Sequence, residues 1–176
     1  AGFTHWAKLN NLKQAAKTMN FLTEHGISSY GELESKLNAV SARRDTAHAE
    51  IKRIESRSAE LALVMKHAET YRQLKPLYDR YRKSNDKEKL LRGHESEIIL
   101  FEAAARELKR LGAVPLPTTE SMKTELATLS AEKEHLLAEY KTARTEAQEY
   151  DTVKQNVDAL LTVPKEQEQQ RRHELE

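Results

Sequence analysis

Two carboxylate-x-x-His pairs are the residues in this sequence best spaced for chemistry: Asp45 with His48, and Glu132 with His135. Residues three apart share a helix face, so each pair can offer one metal ion a carboxylate and an imidazole. Two such pairs converging inside a bundle make a dinuclear site. The plainer reading is that all four are solvated helix residues, and the choice depends on whether the helices bring the pairs together. No other catalytic pattern is present. The glycines at 2, 26, 31, 93 and 112 form neither a phosphate-binding loop nor a dinucleotide fingerprint. There is no Gly-x-Ser-x-Gly elbow, no His-Glu-x-x-His, and no cysteine to act as nucleophile or ligand. The expectation is a protein that binds without catalysing and needs no cofactor.

Charge gives the second candidate. Between Arg72 and Arg92 stand eight basic residues, Arg72, Lys75, Arg80, Arg82, Lys83, Lys87, Lys89 and Arg92, against three acids, Asp79, Asp86 and Glu88. Tyr71, Tyr78 and Tyr81 are interleaved with them. Cations neutralise phosphates and aromatic rings stack on bases, so the segment has the composition of a nucleic-acid contact. The plainer alternative is that the tyrosines pack a local core and the cations solvate it. A weaker basic set, Lys8, Lys13 and Lys17, lies near the start with no acid before Glu24. Trp6 in the same stretch reads as a core or interface residue.

The elements that must position these residues are helices. Charged residues make up 32% of the chain and apolar ones 38%, in the Ala, Glu, Lys, Leu and Arg mixture of long helices. A first helix is expected over 3–25, with Phe3, Trp6, Leu9, Leu12, Ala16, Met19 and Leu22 on one face and Gly26 ending it. Ser29 and Glu32 have the spacing of a capping box. From there a stripe runs Leu33, Leu37, Val40, Arg44, Ala47, Ile51, Ile54, Ser58, Leu61, Met65, Ala68, Arg72, in alternating steps of four and three. That period is a coiled-coil seam; Pro76 is expected to end or kink its helix near Lys75, with Leu77 to Lys83 a further helical turn or two. A second seam runs Met122, Leu126, Leu129, Lys133, Leu136, Tyr140, Ala143, Ala147, Tyr150, Lys154, Val157, Leu161, between an N-cap at Thr118 and Pro164.

The two seams fit each other antiparallel. If partners' numbers sum to 194, each seam position meets a seam position: Leu33 with Leu161, Met65 with Leu129, Ala47 with Ala147. Arg44 would then stack on Tyr150, while the stems of Lys133 and Lys154 pack on Leu61 and Val40. In that register the two carboxylate–histidine pairs lie more than three turns apart, roughly 20 Å, which argues against a metal site. The expected fold is all-α: a long antiparallel coiled-coil hairpin with arms over 29–75 and 118–162. A small helical tip over 77–117 and the N-terminal helix packed at the base complete one domain over 1–164. In the tip, Ser84-Asn85 should break the chain, Asp86 cap a short helix ending at Gly93, and a better helix run from Glu95 to Leu111. Residues 165–176 read as a polar tail, frayed or helical without tertiary support, whose final Leu175-Glu176 resembles a cloning remnant. With no initial Met, the sequence looks like an excised piece.

Composition bounds the environment as well. A net charge of +1 implies no partner by itself, so any charged surface must come from uneven placement. The lack of cysteine fits a reducing cytoplasm. No apolar run approaches the roughly 20 residues that span a bilayer, so membrane insertion is not expected.

The chain also resembles the helical region downstream of the nuclease domain in relaxases (mobilisation proteins) of conjugative elements from Gram-positive bacteria. The resemblance is carried by Trp6-Ala7-Lys8, Asn11-Leu12-Lys13-Gln14-Ala15-Ala16-Lys17-Thr18 and Phe21-Leu22-Thr23-Glu24-His25-Gly26-Ile27. Tyr30-Gly31-Glu32-Leu33, Tyr81-Arg82-Lys83, Leu111-Gly112, Leu116-Pro117-Thr118 and Asn156-Val157-Asp158 continue it over nearly the whole chain. Relaxases nick one strand at a transfer origin through a tyrosine, with a metal held by a His-x-His cluster. No two histidines here lie within two positions of each other. The resemblance therefore implies an accessory region without the nuclease residues, contacting single-stranded or transfer-origin DNA, relaxosome proteins or the secretion apparatus. The competing expectation is a structural spacer or dimerisation module with no nucleic-acid role, and self-association is open in either case.

Overall fold

The computed structural model describes the backbone of residues 2–173 and the side chains of residues 10–162. Its elements are α1 (Gly2–Glu24), α2 (Tyr30–Lys83), α3 (Lys87–Arg110) and α4 (Thr119–His173), and the described residues contain no strand. The fold is all-α. The chain divides into two compact units, one of residues 1–48 and 137–176, the other of residues 49–136. Among the described residues no helix is long and apolar enough to cross a membrane.

Local signals in the sequence account for the helix ends. After α1, Gly26 takes φ +61, the Ile27 N–H reaches the Leu22 carbonyl at 2.8 Å and the Gly26 N–H reaches Thr23 at 3.1 Å. This is a Schellman closure, which glycine adopts without a Cβ penalty. Gly112 repeats it at φ +68, with the Ala113 N–H on Leu108 O at 2.9 Å. Ser29 Oγ caps α2 by accepting the Glu32 N–H at 3.2 Å. The Glu32 carboxylate reaches back one residue further than a capping box would, to the Ser28 N–H (2.7 Å) and hydroxyl (2.9 Å). Asp86 and Thr118 cap α3 and α4, accepting the N–H groups of Lys89 and Ser121 at 3.1 Å each. The expected interruption in the tip is also present: His94, at φ −142 and ψ 27, breaks α3 just after Gly93.

α2 runs on through Pro76 to Lys83 as one helix, joining the arm to the turns expected over 77–83, and α4 runs on through Pro164 to His173, the helical alternative for the tail. Proline removes one donor but does not forbid a helix that packing holds on its far side. Beyond Pro76 that packing is Tyr78, stacked on Phe101 with centroids 4.2 Å apart. The polar tail expected over 165–176 lies outside the described side chains.

In the first unit α2 and α4 run antiparallel, but in a different register from the one expected. Tyr30 bonds Asp158, Lys154 pairs with Glu34, and His48 stacks on Tyr140; each of these pairs sums to 188. Arg43 pairs with Glu146, summing to 189. Leu33 is 1% exposed and clusters with Tyr150 and Val153, whereas its expected partner Leu161 is 56% exposed. Arg44 does not stack on Tyr150 but pairs with its neighbour Asp45 at 2.7 Å. Tyr150 packs edge-on against Phe21 of α1 instead. Sliding a heptad seam by about seven residues brings seam back onto seam, so the apolar pattern tolerates both offsets.

The second unit has its own core, in which Ile54, Leu61, Val64 and Ala68 of α2 meet Leu108 of α3 and Met122 and Leu129 of α4. Full burial of one such Leu or Ile contributes about 1.5–3 kcal/mol. Lys133 pairs with Glu55 at 2.8 Å rather than lying over Leu61, another pair that sums to 188. Arg57 reaches Glu125 at 2.7 Å.

α1 also departs from its expected face. Thr18 is buried and Phe21 and Leu22 half-buried, while Leu12 and Met19 are 68% and 59% exposed. The buried Thr18 hydroxyl accepts from Asn156 Nδ2 at 3.2 Å, a polar tie between α1 and α4. The side chains of Phe3, Trp6 and Leu9 lie outside the described residues.

Candidate nucleic-acid interface

The basic cluster of the second unit falls at the turn between α2 and α3. The turn is fixed by side-chain bonds: Ser84 Oγ accepts the Asp86 N–H at 3.1 Å, and Asp86 in turn caps α3. The structure divides the eight candidate cations into two kinds. Arg72 donates to the Pro117 carbonyl at 2.6 Å and the Thr119 hydroxyl at 2.8 Å, fastening the segment that leads into α4. Lys75 holds Asp79 at 3.0 Å, and that carboxylate raises the ammonium above its ordinary range. Arg92 pairs with Glu88 at 3.4 Å, both side chains more than 80% exposed, a contact worth little in water.

Arg80, Arg82, Lys83, Lys87 and Lys89 are different. All five are exposed, and among the described residues none makes a hydrogen bond or an ion pair through its side chain. Arg80, Arg82 and Lys83 end α2, where the partial negative charge of the helix terminus welcomes cations, so helix stability alone explains them. Lys87 and Lys89 open α3, where the same dipole disfavours cations. Helix stability does not explain those two. Arg80 and Lys83 edge a shallow groove of about 370 Å³ that also meets Pro76, Ser84 and Leu90.

The tyrosines are not free platforms. Tyr71 and Tyr78 stack on Phe101 at 4.8 and 4.2 Å, with interplanar angles near 25°. The Tyr78 hydroxyl donates to Glu102 at 3.2 Å, and burial pushes its phenol above the ordinary value. Tyr81 is half-buried with its ring 6.0 Å from that of Tyr78. The arrangement offers an array of exposed point charges beside tyrosines of which two, Tyr71 and Tyr78, are committed to Phe101.

The second basic set lies in the first unit. Lys13 and Lys17 are exposed and make no side-chain hydrogen bond or ion pair among the described residues; the Lys8 side chain lies outside them. The two carboxylate–histidine pairs are engaged elsewhere: Asp45 with Arg44, His48 on Tyr140, and Glu132 with Arg53 at 3.6 Å. His135 points to solvent. Among the described residues no three His, Cys, Asp or Glu side chains gather as a metal ion requires.

Comparison with known proteins adds no relative. No family model, curated protein or solved structure matches this chain.

The sequence did not reveal the structural roles of Arg72 and Thr18. Arg72 occupies the last seam position, and its long reach to Pro117 carried no signal in the periodicity. Thr18 was detectable: shifting the α1 stripe by one residue gives Ala15, Thr18 and Phe21, the side that packs.

Proposed function

We propose that this chain is a non-catalytic accessory region of a conjugative relaxase, contacting DNA through the cations of the α2–α3 turn. The resemblance supplies the relaxase context, and one observation carries the DNA contact. Five neighbouring cations make no side-chain hydrogen bond or ion pair among the described residues, and two of them, Lys87 and Lys89, open a helix whose dipole opposes them. A phosphate backbone would supply the missing counter-charge. Because Tyr71 and Tyr78 are committed to Phe101, the contact is read as phosphate-directed, tolerant of sequence and not dependent on base stacking. Contacts with relaxosome or secretion-system proteins in the cytoplasm belong to the same reading.

The second reading is a structural spacer or dimerisation module. It is favoured by the ion pairs along the flanks of α2 and α4, such as Arg43–Glu146 and Glu55–Lys133, which look like devices for holding two helices in place. A labelled single-stranded oligonucleotide and its duplex, titrated with the protein at low salt, separate the two. The proposal expects binding of both. It also expects that Arg80→Gln, Arg82→Gln, Lys83→Gln and Lys87→Gln together weaken binding by about tenfold or more. Unchanged affinity in that variant, or no binding at all, would favour the spacer.

A further inference from the structure

We infer that the groove between α2 and α4 in the second unit binds a partner's peptide segment in which an apolar side chain adjoins a carboxylate. α3 packs on one side of this helix pair, where Val64, Ala68 and Tyr71 of α2 turn toward it. Lys66, Glu69 and Gln73 lie on the opposite side of the same helical turns, and there a groove of about 440 Å³ stays open. That volume is in the range of a small-ligand site, about 300–1,000 Å³. Its floor is methionine: Met122 is 2% exposed, and Met65 is half-buried against the same core. Unbranched thioether side chains adapt to the apolar group that lies on them.

Charge inside the groove says what fits there. Lys66 and Lys123 line it from its two helices, exposed and without a side-chain hydrogen bond or ion pair among the described residues. Arg72 lines it as well, and among the described residues its guanidinium meets neutral oxygens alone, the Pro117 carbonyl and the Thr119 hydroxyl. Three cations therefore share the groove with one carboxylate, Glu69, which already accepts from Gln73 at 3.5 Å. A nucleic-acid phosphate would answer that charge but leave the methionines wet. A membrane surface suits a protruding apolar face, and this one is recessed. A Leu side chain beside a Glu carboxylate satisfies the floor and the cations together. The inference is independent of the DNA contact proposed for the α2–α3 turn, which uses neither Lys66 nor Lys123.

The test uses the whole chain and a labelled short peptide of Gly and Ser carrying one Leu next to one Glu, its C-terminus amidated. One twin has Ser in place of the Leu, and another has Gln in place of the Glu. The parent peptide should bind more tightly than either twin by about tenfold or more. Lys66→Gln with Lys123→Gln should remove about that factor while leaving the thermal midpoint unchanged, since both side chains are exposed and unengaged. The chain has three methionines, so the place of binding can be read directly by nuclear magnetic resonance on methyl-labelled methionine. The peptide should move the Met65 and Met122 signals and leave Met19 in place. Equal affinity for the parent peptide and its twins, no binding, indifference to the double variant, or a shift of Met19 alone would overturn the inference. So would a single-stranded oligonucleotide that displaces the peptide and moves the same two methyls, reassigning the groove to nucleic acid.

Discussion

Arg72 and Arg80 lie about two turns apart on one helix and do opposite work. Arg72 is a fastener, its guanidinium split between the Pro117 carbonyl and the Thr119 hydroxyl. The Arg80 side chain makes no hydrogen bond or ion pair among the described residues. Arg72→Ala should therefore lower stability by about 1 kcal/mol, the charged hydrogen bonds being discounted for exposure. Arg80→Ala should leave the denaturation midpoint within about 0.5 kcal/mol of the parent, as for an unengaged surface residue. Chemical denaturation of the two variants side by side checks both. Carboxylates make a second prediction at this scale. The Tyr30 hydroxyl and the Lys154 ammonium hold Asp158 below its ordinary range, and the Ser28 N–H and hydroxyl do the same for Glu32. A carboxyl lowered in the folded state stabilises it above the unfolded pKa and loses that contribution as pH falls through the folded value. Thermal melts should thus show the midpoint dropping as pH falls through the carboxylate range. Asp158→Asn should be less stable than the parent at neutral pH, with the gap closing in acid. A gap that stays constant would show that Asp158 contributes through shape rather than charge.

Among the elements, the register of α2 against α4 is the sharpest point. A heptad pattern fixes the period and the face but repeats every seven residues, so it cannot distinguish one offset from the next. The offset is set by residues off the seam: Tyr30 with Asp158 and Arg43 with Glu146. None of these has a periodic signature. Cysteines can read the difference within the first unit. Val40→Cys with Ala147→Cys, which sum to 187, should form an intrachain disulfide under mild oxidation. Leu37→Cys with Val157→Cys, a pair from the 194 register, should not, because a slide of about seven residues separates them by about 10 Å. Crosslinking of the second pair alone would restore the other register. Helix caps, by contrast, were legible, since Gly26, Ser29, Asp86, Gly112 and Thr118 each act through neighbours a few residues away. The passage of α2 through Pro76 was not, because the packing of Tyr78 on Phe101 that sustains it is contributed by another helix.

At the scale of the molecule, function turns on which charges the fold leaves unanswered. Sequence placed eight cations in one stretch, and tertiary structure sorts them into those that fasten the protein and those that face outward. That sorting needs partners from distant positions, such as Pro117 for Arg72, and no reading of the stretch alone supplies it. The central claim is that the outward five meet phosphates. Its most direct test is the salt dependence of oligonucleotide binding by the parent and by the variant with Arg80, Arg82, Lys83 and Lys87 all changed to Gln. Each phosphate contact contributes about 0.7 to the slope of log affinity against log salt for a single strand. Removing four contacts should flatten the slope by about 3. An equal slope in parent and variant would contradict the account and leave the turn as a solvated surface.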